Sequence, residues 1–173
     1  MLPADLGLRD LGVDDVDQIV QLVGRCDRTY LEWAPEGWTP PDLTWYADRW
    51  RQRLPATGTW ARGAFDRQGR LVGIAAFRPE RDATRLVPGI AHINAVFVHP
   101  DRWRQGIGAG LLALAEREMR SRKYLRARLW TPEGAPARAF YETRDYRPEG
   151  RREFFEELGM VVVSYEKPLS RPA

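Results

Sequence analysis

Hydrophobic positions in this 173-residue chain change their spacing from segment to segment, and the spacing predicts the elements. Residues 6–11 read as a first strand. Asp14 or Asp15 is placed to cap a helix that carries Ile19, Val20, Leu22 and Val23. Pro40-Pro41-Asp42 can start a second helix, with Leu43, Trp45, Tyr46 and Trp50 on it. Strands at 59–65 and 71–77 flank a turn at 66–70 and predict a hairpin. The charged segment 78–89 predicts a loop. A strand at 90–98 follows, then a helix from about 104 to 122 and a strand at 125–131. A short helix at 135–144 and two strands, 146–154 and 160–166, complete the pattern. On the long helix, Ile107, Leu111, Leu114, Ala115 and Met119 recur at helical spacing and form one buried stripe. Strands mixed with helices, with hairpins at both ends, predict an α/β fold on a mixed sheet. No repeat or low-complexity tract divides the chain, so a single domain over 1–173 is expected.

The junction between the strand at 90–98 and the long helix carries the clearest chemistry. It reads H-P-D-R-W-R-Q-G-I-G-A-G-L-L from His99 to Leu112. A strand that runs into a glycine turn at a helix start aims free backbone N–H groups at one point. The helix dipole adds partial positive charge there, which suits a phosphate or pyrophosphate. Gly106 and Gly108 let the backbone approach a ligand with no Cβ in the way. A dinucleotide fingerprint would need a glycine where Leu111 stands, and a P-loop would need Gly-Lys-Ser/Thr, which does not occur.

Composition is that of an ordinary globular chain. Hydrophobic residues are 43% and charged residues 29%, as in ordinary globular domains. A chain of this length buries roughly 70% of its unfolded surface. Cys26 is the only cysteine, so no internal disulfide can form. The net charge of +3 is too mild to announce nucleic-acid binding. The basic patch at 120–128 falls where the long helix should end, and cations favour a helix C-terminus. The first residues have an acid at Asp5 and no apolar core, unlike a signal peptide, and the longest apolar-leaning run is too short to span a bilayer. A cytoplasmic protein without nucleic-acid or membrane partners is expected.

The glycine turn resembles the acyl-CoA-binding motif of the GNAT superfamily of N-acyltransferases, written Q/R-x-x-G-x-G/A. In the register that keeps Leu111 and Leu112 in place, the segment is Trp103 to Gly108, with Trp103 where the family usually has Gln or Arg. The stretch from Leu129 to Gly150 resembles the family's closing motif, a strand and then N-x-x-A-x-x-F-Y-E-x-x-G-F. Ala137, Phe140, Tyr141 and Glu142 match; Gly134, Asp145 and Tyr146 replace the usual Asn, Gly and Phe. The resemblance implies a GNAT-like mixed sheet of six to seven strands flanked by about four helices, with a CoA-binding core at about 90–150. It implies acetyl-CoA as cosubstrate, no metal, and pantetheine pairing along Val96, Phe97 and Val98. It places the pyrophosphate on Arg104, Gln105, Gly106, Ile107, Gly108 and Ala109, and puts Gly134 and Tyr141 beside the cofactor.

N-acyl transfer needs a held thioester, a neutral amine, donors for the oxyanion and help for the leaving thiolate. Tyr141 stands where the family often has a tyrosine beside the CoA sulfur. Full proton transfer from a phenol to a thiolate is uphill by about 2 kcal/mol, so Tyr141 is expected to hydrogen-bond the sulfur; packing against Phe140 is the alternative. By strand alternation His92, Asn94, Val96 and Val98 share one face. His92 titrates in a range suited to a base, or is a hydrogen-bonded structural histidine, and Asn94 can orient the acceptor or a water. Aromatics and acids crowd 27–50. Of these, Trp33 and Trp38 are candidates for the acceptor side, where Asp27, Glu32 and Glu36 would suit a cationic amine; helix packing is the alternative. The leading expectation is an N-acetyltransferase that transfers acetyl directly to a small-molecule amine or a protein N-terminus. A non-catalytic acyl-CoA-binding module is the rival, and a homodimer is left open.

Overall fold

A computed structural model of the chain describes residues 2–169. The chain runs β1 (Gly7–Asp10), α1 (Val16–Arg28), α2 (Leu43–Arg53), β2 (Trp60–Phe65), β3 (Leu71–Asp82), β4 (Arg85–Val98), α3 (Ile107–Ser121), β5 (Arg126–Pro132), α4 (Ala137–Glu142), β6 (Arg147–Phe155) and β7 (Met160–Pro168). The seven strands form one sheet in the order β1-β2-β3-β4-β5-β7-β6. All neighbours are antiparallel except β4 and β5.

Two apolar layers hold the helices on opposite faces. Ile19, Leu22, Val23 and Cys26 of α1 and Trp50 of α2 pack with Ile74, Ala76 and Ala95 on one face. Ile107, Leu111, Ala115 and Met119 of α3 pack with Ala75, Phe77, Ile93 and Leu129 on the other. The α3 stripe is therefore where the helical spacing puts it. Asp42 caps α2, its Oδ1 accepting from the Thr44 N–H at 2.6 Å. Asp15 precedes α1 but does not cap it with its side chain. Its carboxylate instead accepts from the Gly12 N–H at 2.9 Å and from Arg9 at 2.6 Å, which ties β1 to the entry of α1.

Three expectations need correction. Residues 78–89 are not a loop: β3 runs on to Asp82 and β4 starts at Arg85, a hairpin closed by Arg81 donating to the Thr84 carbonyl. Charge suggested a loop, but ladder bonds are made by backbone, and charged side chains can stand along an exposed arm. Second, the long helix starts at Ile107 and not near 104, because Arg104 (φ +61°) and Gly106 (φ +78°) take left-handed conformations.

The third correction concerns β4. Ala76 faces Ala95 and Phe77 faces Ile93, so Asn94 is one residue too many against β3. This bulge resets the alternation. Ile93, Val96 and Val98 pack toward α3, while Ala95 and Phe97 pack toward α1 and α2. His92, next to Ile93, therefore falls on the face opposite Val96 and Val98 and does not share theirs.

Candidate active site

Strands β4 and β5 pair only from Ile90–Arg126 to Ile93–Leu129. Beyond that point β5 continues with β7, and β4 keeps only β3. The sheet splays there, and a cleft of about 610 Å³ opens between the last five residues of β4 and the end of β5. The His99 N–H donates to Val72 of the β3 side at 2.9 Å, whereas the Val98 carbonyl accepts on the open side, from the Trp103 indole at 2.7 Å and the Cys26 thiol at 3.3 Å. Backbone polarity alternates along a strand, so Val96 and Val98 turn their N–H and C=O groups to the cleft. A strand-like ligand would find there a sheet edge with no partner strand, its Val98 carbonyl already bonded and the rest of the edge open.

The floor of the cleft continues into the start of α3. Gly106 is the N-cap, and the first-turn N–H groups of Ile107, Gly108 and Ala109 have no intrahelical partner. A Cβ on Gly108 would stand 3.4 Å from Val98 Cγ2 and 3.5 Å from the Phe140 ring, both on the cleft wall. Packing alone thus tolerates an alanine at Gly108. The far wall comes from α4, with Phe140 and Tyr141, and from the turn after α1, with Tyr30 and Trp33.

Tyr141 is buried, edge-on to Phe140 at 5.2 Å and to Tyr146 at 5.8 Å. Burial pushes its phenol well above the usual range, so it stays protonated and keeps a hydroxyl proton to donate. Its hydroxyl has no hydrogen-bond partner among the described residues. Asn94 also lines the cleft, and its Oδ1 is buried without a partner. An unpaired buried acceptor costs free energy unless a ligand satisfies it.

The acetyltransferase (GNAT) family model matches residues 25–146. This chain belongs to that family. By sequence, no curated protein matches it. Among solved structures, the PaiA N-acetyltransferase of Thermoplasma acidophilum, in complex with coenzyme A, is 16% identical, covers 92% of this chain and 97% of its own, and superposes with a TM-score of 0.69. The ribosomal-protein-S18-alanine N-acetyltransferase of Escherichia coli is 17% identical, with coverages of 97% and 96% and a TM-score of 0.69. A chimera of the Vibrio cholerae spermidine N-acetyltransferase is 16% identical, with coverages of 96% and 96% and a TM-score of 0.68. At these identities the likeness is one of fold, and it spans proteins named for different acceptors.

The fold of this GNAT acetyltransferase gathers most of the residues singled out in its sequence. Asn94, Val96, Phe97, Val98, Arg104, Gly106, Ile107, Gly108, Ala109, Tyr141 and Trp33 all line the cleft. Four lie off its wall. The Gln105 side chain accepts from Arg102 Nε at 2.8 Å. Gly134 backs onto the Trp33 ring, where a Cβ would lie 3.4 Å from Cε3. Trp38 donates its indole N–H to the Leu158 carbonyl at 2.7 Å. His92 is largely buried with Nδ1 3.3 Å from Glu80 Oε1. Burial holds the imidazole below its usual range against the pull of Glu80, so it is neutral near neutral pH. Burial would push Glu80 up, but His92, the Arg81 N–H and Arg128 bring it down to about 2. Ionised Glu80 therefore accepts a hydrogen bond from Nδ1–H and leaves Nε2 as an acceptor.

Tyr30, Thr131 and Arg144 line the cleft without having been singled out for it, and Glu32, one of the acids expected on the acceptor side, lines it too. Tyr30 had a signal, since it falls in the turn between the first two helices beside Trp33. Thr131 and Arg144 become neighbours only when β5 and α4 fold back on β4.

Proposed function

We propose that the chain is an acetyl-CoA-dependent N-acetyltransferase that passes acetyl directly from the thioester to an amine. The carrying observation is the open β4 edge beside a free helix N-terminus, in one cleft that also holds Tyr141. Pantetheine amides pair with Val96 and Val98, and Phe97 holds the strand to β3. The pyrophosphate sits on backbone N–H groups from Gln105 to Ala109, with Arg104 adding charge. Gly134 acts at a distance, by letting Trp33 close on the cleft wall.

In the reaction the amine nitrogen attacks the thioester carbonyl, an N–C bond forms and the C–S bond breaks. Asn94 Oδ1 accepts from the incoming amine and orients its lone pair. His92, fixed by Glu80, takes the amine proton through water at Nε2. The thiolate leaves toward the Tyr141 hydroxyl, which donates a hydrogen bond without giving up its proton. A covalent cysteine intermediate is disfavoured, because burial pushes the Cys26 thiol up to about 12 and its Sγ is bonded to Val98. The acceptor is a small-molecule amine or a protein N-terminus.

Release of free thiol from acetyl-CoA, followed against a panel of amines, tests this reading. Turnover is expected with at least one amine. Tyr141→Phe should lower kcat by roughly tenfold to a thousandfold and hardly move acetyl-CoA affinity. Tight acetyl-CoA binding without thiol release for any amine would leave a binding module. Full turnover in Tyr141→Phe would return the departing thiolate to water.

A further inference from the structure

Three arginines meet beside His92 on the face of the sheet covered by α1 and α2. Arg78 stands directly opposite His92 in the β3–β4 ladder. Arg49 and Arg53 lie one turn apart on α2 and so share a face of that helix. The Arg49 guanidinium stacks over Trp45 at 4.4 Å and points to Phe155, the end of β6, at 5.6 Å. The three charges feel one another. Burial first, then the charges of Arg49 and Arg78, bring Arg53 down to about 9. His92 is held down by burial first and then, in part, by Arg78 and Arg53.

Only Glu157 offsets the group, acting on Arg49 through space with no ion-pair contact among the described residues. Several arginines elsewhere on the sheet are paired: Arg9 with Asp15, Arg128 with Glu149 and Glu166, Arg152 with Glu133. Among the described residues Arg49, Arg53 and Arg78 make no ion pair or side-chain hydrogen bond, and Arg78 Nε is buried with no partner. The carboxylate nearest in the ladder, Glu80, is already used by His92, the Arg81 N–H and Arg128. Like charges held together in partly buried positions destabilise a fold unless an anion joins them.

The position relates this cluster to the reacting edge. His92 precedes Asn94 by two residues, a rise of about 7 Å along a strand. We infer that the acceptor is an amine that also carries an anionic group, a carboxylate or a phosphate, and that Arg53 and Arg78 bind this group, with Arg49 beside them, while the nitrogen reaches Asn94. The inference rests on the transferase reading of the cleft. It displaces the cationic acceptor that the acids at 27–36 suggested. Asp27 is buried and bound to the Tyr46 hydroxyl, and of Asp27, Glu32 and Glu36 only Glu32 reaches the cleft wall.

Matched amines test it: β-alanine against β-alaninamide, and phosphoethanolamine against ethanolamine. Calorimetric titration of each into the protein reads binding without turnover, and thiol release gives kcat/KM. The anionic member of at least one pair should bind at least tenfold more tightly, and the pair that does so tells carboxylate from phosphate. Arg53→Gln and Arg78→Gln should each erode that preference about tenfold, through KM, at unchanged acetyl-CoA affinity. Their Tm should equal or exceed wild type, since each removes a repelling charge. Equal binding of charged and uncharged members in both pairs overturns the inference. So does a preference that survives both substitutions, or a lowered Tm with the preference intact, which marks the arginines as structural. Failure of acetyl-CoA itself to bind would fall on the transferase reading, because probe binding is measured apart from it.

Discussion

Asp27 is 1% exposed, and its carboxylate accepts from the Tyr46 hydroxyl at 2.7 Å. One hydrogen bond does not offset the burial of a charge, and burial pushes the carboxyl up to about 6 from 3.8. The fold therefore favours the protonated acid. Its stabilising contribution is present at low pH and is lost as pH rises from the unfolded value through the folded one. Asp27→Asn keeps an acceptor for Tyr46 and removes the charge. It should stabilise the protein by about 1–3 kcal/mol near pH 8, and the gain should vanish near pH 4. Urea denaturation at the two pH values reads the difference, and a gain that persists at low pH would assign the effect to packing. As letters in a sequence, an acid among aromatics suggests a cation site; only the fold shows that this one faces a tyrosine in the core.

At the scale of elements, the turn into α3 was legible because its determinants are local. Glycines, a helix start and an apolar stripe follow one another in 20 residues, and the helix forms with the stripe buried. The bulge at Asn94 was not legible. It is a property of the β3–β4 pairing, and no residue in β4 announces that Ala76 will skip to Ala95. Strict alternation, which passes over the bulge, put His92 on the wrong face. The arm beyond Arg78 was missed for a related reason, since its strands are defined by their partners and not by apolar alternation. The local part yields the sharper prediction. A Cβ at Gly108 fits against Val98 and Phe140, so Gly108→Ala should fold and bind acetyl-CoA nearly as wild type does. Gly108→Val adds two methyl groups to the space over the helix N-terminus and should cost about tenfold in affinity, about 1.4 kcal/mol, or more. Titration of the two variants decides it: a folded Gly108→Val with unchanged affinity would move the pyrophosphate elsewhere.

For the whole molecule, the question is what holds a sheet together when its middle two strands part after four residue pairs. On the α3 face, Tyr146, Tyr165 and Leu129 continue the apolar core across the gap, and Lys167 reaches Glu116 of α3 at 2.9 Å. On the other face the work falls to Arg128 of β5. Its guanidinium lies 3.6 Å from Glu80 of β3, 2.8 Å from Glu149 of β6 and 2.9 Å from Glu166 of β7. One cation thus ties strands from both halves of the sheet, just below the cleft. These residues are scattered over nearly 90 positions of sequence, where the basic patch at 120–128 reads as a helix terminus, and only Arg120 and Arg122 serve α3, paired with Glu116 and Glu118. Arg128→Met keeps the length of the side chain and leaves three mostly buried carboxylates without their shared cation. Breaking a buried pair from one side typically costs about 3–5 kcal/mol, and that loss is expected at neutral pH. Lys167→Met should cost less, because Glu116 keeps Arg120 at 3.1 Å and the Tyr146 hydroxyl at 3.1 Å. Urea unfolding of the two variants ranks them. If Arg128→Met loses under about 1 kcal/mol, the charge network is a solvated surface feature, and the apolar core on the α3 face alone keeps the two halves of the sheet in register around the cleft.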